Sequence, residues 1–92
     1  MKSPDEICDD YSNKGVKLSV RQIEKDYILI EGDTDSLEFL GNLLLAQANF
    51  EKDCGLQIAP NGAGSSFFGK DSTFGFYIHR LPCKHSGNQE QK

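Results

Sequence analysis

Apolar and polar residues alternate with the period of a β-strand near the start of this 92-residue chain. In residues 16–21 every second side chain is apolar, which is typical of a strand with one solvated face. The run YILI at 27–30 is continuously apolar, and its β-branched and aromatic residues favour a second strand that is covered on both sides or placed centrally. The polar residues 24–26 fit a turn between them, so this part of the chain predicts a β-hairpin.

Residues 33–52 form the strongest predicted element, a helix with two apolar stripes. Thr34 or Asp35 is expected to cap it, with Glu38 completing a capping box after Asp35. We expect the first stripe to lie on a sheet, with Gly41 allowing close approach at a cost of about 1 kcal/mol relative to Ala. The second stripe requires another cover, either the aromatic pair at 67–68 or a second subunit. The first stripe consists of Leu37, Leu40, Gly41, Leu44 and Ala48, and the second of Phe39, Leu43, Ala46 and Phe50.

Two further strands are predicted after the helix, at 56–59 and at 74–78, joined by a long loop. The order β-β-α-β-β favours an α+β fold in which one helix packs on a four-stranded, mainly antiparallel sheet. The chain is expected to divide into a flexible N-terminal arm (1–14), a single domain (15–82) and a flexible C-terminal tail (83–92).

The segment GSSFFGKD, residues 64–71, matches the first positions of a phosphate-binding loop, Gly-x4-Gly-Lys. In such a loop a helix follows the glycines, and a Ser or Thr after the Lys holds magnesium. Here Asp71 takes that position and a strand pattern follows, so we expect a hairpin loop that binds no nucleotide. One ring of Phe67 and Phe68 is expected to pack on the core, and the position of the other stays open.

Net charge narrows the range of partners. The chain carries −4, and residues 15–82 carry −3 from six bases and nine acids. An acidic surface repels phosphate backbones, so nucleic acid is not an expected partner. The same surface attracts a basic protein.

The location predicted from the sequence is the cytoplasm. No apolar run reaches the ~18 residues of a membrane span, and the start MKSPDEICDD lacks the apolar region of a secretory signal. The three cysteines are odd in number and widely spaced, which argues against a disulfide framework and fits a reducing cytosol.

Four acids cluster around the junction between the second strand and the helix: Glu31, Asp33, Asp35 and Glu38. Their oxygens could bind a hard metal ion, but the EF-hand spacing is missing and helix capping accounts for part of the cluster. We interpret the cluster as an acidic patch that docks a basic partner. Phe67 and Phe68 complete the predicted partner-binding residues.

His79, Cys83 and His85 could form part of a zinc site, with Cys54 or Cys8 as the fourth ligand. Structural zinc sites usually show paired ligands two to four residues apart, and only one pair is present here, so no metal is predicted. Cys54 and His79 could approach each other in space as a nucleophile pair, but nothing in the sequence orients them. No catalytic residue and no cofactor are predicted, and the protein is not expected to be an enzyme.

Three segments of the chain, ILIEGDTDSLEFLGNLLLAQA (28–48), LQIAPN (56–61) and FGFYIHRL (74–81), resemble the Imm32-like immunity-protein family of bacterial polymorphic toxin loci. The resemblance covers roughly residues 16–82. Members of that family often carry a His-x-His-x-Asp-Pro stretch on the third strand, of which this chain retains only Pro60, so no functional residue is carried over. The resemblance implies a cytosolic protein that neutralises a cognate toxin by binding it.

The sequence therefore predicts a small, cytosolic, non-catalytic protein-binding domain, and the resemblance implies an immunity protein, for which a basic toxin would suit the acidic balance. Two alternatives stay open. One is a small ligand-binding or enzymatic domain with a pocket lined by the 60–73 loop, Tyr77 and His79. The other is a structural homodimer formed through the second stripe of the helix.

Overall fold

Two helices and four short strands make up residues 1–83, the part of the chain that the computed structural model describes. In chain order they are α1 (Pro4–Tyr11), β1 (Ser19–Glu24), β2 (Tyr27–Glu31), α2 (Thr34–Ala48), β3 (Gly55–Ile58) and β4 (Phe76–His79). A short 3-10 turn, Ser65–Phe67, lies in the connection between β3 and β4. The fold is α+β, but its layout differs from the prediction in two respects.

The first difference is helix α1, which lies within the segment predicted to be a flexible arm. The Ser3 side chain accepts a hydrogen bond from the Glu6 amide (3.2 Å), and the Glu6 carboxylate accepts one from the Ser3 amide (2.8 Å). This reciprocal capping box stabilises the first turn. Ile7 is buried in the core, and the Tyr11 ring lies 5.5 Å from the Phe39 ring of α2. The prediction of a single helix is therefore wrong.

The second difference is that the strands form two separate antiparallel hairpins, β1–β2 and β3–β4, and not one four-stranded sheet. The predicted sheet is wrong because the loop that follows β3 occupies the edge of β1 that another strand would need. Four backbone hydrogen bonds join this loop to β1 and the residue before it: Leu18 N to Phe67 O (2.8 Å), Gly69 N to Leu18 O (2.7 Å), Thr73 N to Val20 O (2.8 Å) and Phe74 N to Val20 O (3.2 Å).

The hydrophobic core is formed by one face of α2, the chain around β1 and the aromatic pair of the loop. Leu18, Phe39 and Leu43 are completely buried. The Phe67 ring stacks on Phe39 with 4.3 Å between ring centroids, and Phe68 is also buried. Both rings of the pair therefore pack on the core, and the loop covers the helix stripe that contains Phe39.

The segment GSSFFGKD connects β3 to β4 and does not open an α-helix. Gly64 has a φ of 75°, a conformation that favours glycine, and it starts the three-residue 3-10 turn. Asp71, at the magnesium position of a phosphate-binding loop, accepts a hydrogen bond from the Arg21 guanidinium at 2.8 Å. The helix N-terminus that a phosphate-binding loop uses does not follow these glycines.

One disulfide is present although the cysteine spacing argued against a disulfide framework. Cys54 precedes β3 and Cys83 follows β4, and the antiparallel pairing of these strands brings the two ends together. Cys54 and Cys83 are bonded with 5.8 Å between their Cα atoms, whereas Cys8 is a free thiol. Residues 84–92, including most of the predicted tail and His85, lie outside the described residues.

Helix α2 is the longer of the two helices, with 15 residues. At 1.5 Å per residue it is about 22 Å long, less than the ~30 Å hydrocarbon core of a bilayer. Within residues 1–83, neither helix combines the length and the hydropathy that crossing a membrane requires.

Candidate functional site

The structure places the four acids predicted to bind a partner on the surface around the junction of β2 and α2: Glu31, Asp33, Asp35 and Glu38. The N-cap of α2 is Asp33, whose carboxylate accepts a hydrogen bond from the Ser36 amide at 2.9 Å, so the predicted caps Thr34 and Asp35 are wrong. Hydrogen bonding from Ser36, through its side chain and its backbone N–H, holds the pKa of Asp33 below its ordinary value. The acid at the cap therefore stays ionised, where it also opposes the positive end of the helix dipole.

The junction is tied to the rest of the fold through Ser36, which is 1% exposed. Its hydroxyl accepts a hydrogen bond from the Lys17 backbone N–H at 2.9 Å, just before β1. The first turn of α2 and the acids on it therefore have a fixed position relative to the hairpin β1–β2.

The aromatic pair does not join the acids on the surface. Phe67 is 8% exposed and Phe68 is 5% exposed, and both belong to the core. A partner could reach them only if the loop came off β1, which would break the backbone hydrogen bonds that hold it there. Their predicted role at an interface does not fit this burial.

The two apolar stripes of α2 face in the opposite directions to those predicted. The second stripe faces the core, where Phe39, Leu43 and Ala46 are buried. Most of the first stripe faces outward, and a Cβ built on Gly41 would meet no atom within 4 Å, so the predicted close approach to a sheet is wrong. The burial of the second stripe gives no support to a dimer formed through it.

We call the exposed apolar residues of α2 the outer stripe: Leu37, Gly41, Leu44, Leu45 and Ala48. Their spacing of three and four residues puts them on one face of the helix. Leu37, Leu44 and Leu45 are 46%, 44% and 57% exposed. The sequence contained a signal for this orientation, because the stripe with Phe39 carries the bulkier side chains and gains more from burial.

Acidic residues predominate in the sequence that contains the outer stripe, although Lys52 follows it and Lys2 and Lys14 line the cleft beside Asn42. Residues 27–51 contain five acids and no Lys or Arg. Asp33 and Asp35 lie at the N-terminal end of the stripe, and Glu51 follows its C-terminal end. Glu38 lies seven residues, or about two turns, before Leu45 and therefore shares its side of the helix. Carboxylates therefore lie at both ends of the stripe and on the side of Leu45.

Within residues 1–83 the rest of the fold covers the outer stripe only in part, since its three leucines are about half exposed. Contiguous apolar patches that stay exposed on small proteins commonly mark interaction sites. The outer stripe and the acids beside it form the candidate functional site.

A second exposed apolar surface lies on β2. Tyr27, Ile28 and Ile30 are exposed, and among the described residues β2 pairs on one side only. The prediction that this strand is covered on both sides or placed centrally is therefore wrong. Such an edge strand has unpaired backbone groups that can bond to another chain. The charge near this surface does not indicate one type of partner, because Lys25 lies in the adjacent hairpin turn.

The alternative of a ligand-binding domain predicted a pocket lined by the 60–73 loop, Tyr77 and His79. The structure has an open cleft of about 570 Å³ elsewhere, between α1 and α2. The residues that line this cleft are Lys2, Ile7, Asp10, Tyr11, Lys14 and Asn42. This cleft therefore gives no support to a site on the loop.

Comparison with known proteins adds no relative to this description. The chain matches no protein-family model, no curated protein and no solved structure. Its function has to be inferred from its own surfaces.

Proposed function

We propose that this protein is a non-catalytic domain that binds a basic partner protein through the outer stripe of α2. The observation that carries the proposal is a half-exposed apolar stripe on a helix, with carboxylates at both of its ends. Full burial of a Leu side chain contributes roughly 1.5–3 kcal/mol. Leu37, Leu44 and Leu45 are about half exposed, so covering all three would contribute about 3 kcal/mol to binding.

The carboxylates select the type of partner. An acidic rim attracts a positively charged surface, raises the association rate and penalises partners of like charge. A second copy of this chain would bring its own acids against Asp35 and Glu38, which opposes dimerisation through the same stripe. A basic protein with an apolar centre to its interface fits both the stripe and its rim.

The resemblance to the Imm32-like immunity proteins suggests which basic protein this is. A protein that protects by occupying a toxin requires a complementary surface and no catalytic residues of its own. We propose that the partner is a toxin encoded in the same locus, and that the complex forms in the cytoplasm.

The proposal can be tested by co-purification of the chain with the product of each neighbouring gene, at low and at high salt. A complex that weakens as salt rises is expected, because salt screens the exposed carboxylates. Leu44→Asp should abolish the complex, whereas Ile28→Asp, an exposed aliphatic residue on β2, should leave it intact. Glu38→Lys should weaken it, whereas Glu24→Lys in the hairpin should not.

Two results would count against this function. One is the absence of a complex with every neighbouring gene product. The other is a complex that Leu44→Asp and Ile28→Asp affect equally, because the outer stripe would then not be the interface.

A homodimer is the second candidate, and the exposed edge of β2 favours it. Two copies could pair their β2 strands and cover Ile28 and Ile30. Sedimentation equilibrium over a wide concentration range distinguishes the two candidates. A monomer at high protein concentration excludes the homodimer, and a dimer that Ile28→Asp dissociates would support it.

A further inference from the structure

Three side chains with metal-binding atoms meet at the open end of the hairpin β3–β4. The Sγ atoms of Cys54 and Cys83 and an imidazole nitrogen of His79 all lie within 4.8 Å of one another. These are three of the residues considered for zinc from the sequence, where their spacing along the chain argued against a site. The fold brings them together although 29 positions separate the two cysteines.

Strand pairing produces this convergence. Gly55 at the start of β3 lies opposite His79 at the end of β4. The pairing continues by one further bond, in which the Arg80 N–H donates to the Cys54 carbonyl at 2.8 Å. Cys83 then follows three residues later and returns to the Cys54 side chain.

The His79 ring is held from one side. The Tyr77 ring stacks against it with 5.8 Å between ring centroids and 13° between ring planes. Tyr77 lies over Gly55, since a Cβ built there would come within 3.1 Å of the Tyr77 ring. The absence of a side chain at Gly55 thus leaves room for the Tyr77 ring, which lies against His79.

The three residues are buried to different degrees, which leaves the cluster accessible from solvent. Cys54 is buried, Cys83 is half-buried and His79 is exposed. A small ion or a reductant can therefore reach the cluster from the side of His79 and Cys83.

Two thiolates and one imidazole form a donor set that suits Zn²⁺. Zinc binds Cys sulfur at about 2.3 Å and His nitrogen at about 2.0–2.1 Å in a tetrahedron. The ligand atoms of such a tetrahedron are about 3.5–3.8 Å apart, which is compatible with the 4.8 Å spread of this cluster. Three protein ligands leave one coordination position for water or another donor.

We propose that Cys54, His79 and Cys83 form a redox-controlled zinc site. In the oxidised form, seen in the structure, the disulfide withholds both sulfur ligands. A thiol reductant supplies two electrons and two protons, so that the Sγ–Sγ bond becomes two thiols while two reductant thiols form their own disulfide. Zn²⁺ then binds the two thiolates and His79, releasing the two thiol protons. An oxidant of the disulfide class reverses the sequence and expels the ion. This site uses no residue of the outer stripe and does not depend on the proposed function.

The test uses the full-length chain, reduced with a phosphine, and Zn²⁺ in competition with a chromophoric chelator. We expect one Zn²⁺ per reduced chain and none per oxidised chain at the same concentrations. Co²⁺ should give a thiolate charge-transfer band in the reduced chain. His79→Ala should weaken zinc binding by at least about tenfold, and Cys83→Ser should weaken it further and reduce the Co²⁺ band.

Cys8→Ser is the matched control. Cys8 is outside the cluster, and burial, together with Asp5 and Asp9, raises the pKa of its thiol. The variant should bind zinc as the wild type does. Far-UV circular dichroism confirms that each variant is folded, and His79→Ala keeps both sulfur atoms if either cysteine variant fails to fold. The proposal is overturned if the reduced chain binds no Zn²⁺, if His79→Ala binds it as tightly as the wild type, or if Cys8→Ser weakens binding as much as Cys83→Ser.

Discussion

Leu43 and Leu44 are neighbours in α2 and lie in opposite environments. Leu43 is 0% exposed, whereas Leu44 is 44% exposed. Truncating each to Ala removes the same atoms from the same helix, so the difference between the two variants isolates the environment. The pair tests whether the outer-stripe side chains contribute little to the stability of the fold, as the proposed interface requires.

Leu43→Ala should destabilise the protein by about 2–5 kcal/mol, because it removes buried methyl groups and leaves a cavity. A protein of this length has a free energy of unfolding of only about 5–14 kcal/mol, so the loss is a large part of the total. Leu44→Ala should cost about 1 kcal/mol or less, since nearly half of its side chain is already in water.

Urea denaturation followed by far-UV circular dichroism measures both values, given equal m-values for the two variants. Thermal unfolding provides a second measure, with Leu43→Ala expected to lower the Tm by 10 °C or more at roughly 4–8 °C per kcal/mol. If Leu44→Ala costs as much as Leu43→Ala, α2 is packed on both faces and the outer stripe is not an available surface.

Four further substitutions probe other parts of the fold. Gly75→Ala should cost on the order of 2 kcal/mol or more in urea denaturation, because its Cβ would overlap the Ile58 carbonyl oxygen; a neutral result would contradict that contact. Gly41→Ala should stabilise by about 0.5–1 kcal/mol, since a Cβ there meets nothing and Ala favours helices; a loss of stability would indicate a hidden contact. Cys83→Ser should lower the free energy of unfolding by about 3.5 kcal/mol, because it opens the 29-residue loop that the disulfide closes. This difference from the wild type should disappear when the wild type is reduced; an unchanged difference in reductant would exclude the disulfide as its cause. Because hydrogen bonding lowers the pKa of Asp33, its charged cap stabilises the fold above about pH 4 and that stability is lost as pH falls through the lowered pKa. Asp33→Asn caps the helix without titrating, so its free energy of unfolding should depend less on pH in this range. A pH profile equal to that of the wild type would contradict the role of Asp33.

Local patterns predicted the individual elements better than their assembly. Alternation at 16–21 and the apolar run at 27–30 correspond to the observed hairpin, and the doubly apolar stretch corresponds to α2. Helix α1 also had a local signal, because Ser3 and Glu6 have capping-box spacing. The polar composition of the first fourteen residues outweighed that signal, although Pro4 and Ile7 are buried and Tyr11 contacts α2.

The four-stranded sheet could not be rejected from the sequence. What prevents it is a loop that bonds to β1 through its own backbone N–H and C=O groups. Every residue except proline has both groups, so the pattern of side chains does not show which of them will form hydrogen bonds. Three glycines in residues 60–73 indicated a loop and gave no indication that it would occupy a strand edge.

The candidate site was half predictable. The acids at the β2–α2 junction were identified because capping and surface charge are local properties. The outer stripe was not identified: the bulkier side chains of the Phe39 stripe favoured its burial, but both stripes of α2 are apolar and tertiary packing decides which one is covered. The meeting of Cys54, His79 and Cys83 depends on the register between β3 and β4, which the sequence leaves undefined.

The central claim is that a partner covers the outer stripe of α2. Leucine- and isoleucine-methyl NMR of the full chain, with and without the basic product of a neighbouring toxin gene, tests it most directly. The account predicts that the methyl signals of Leu37, Leu44 and Leu45 shift on binding while those of Ile28 and Ile30 do not. Shifts confined to Ile28 and Ile30, with the outer-stripe leucines unchanged, would contradict it.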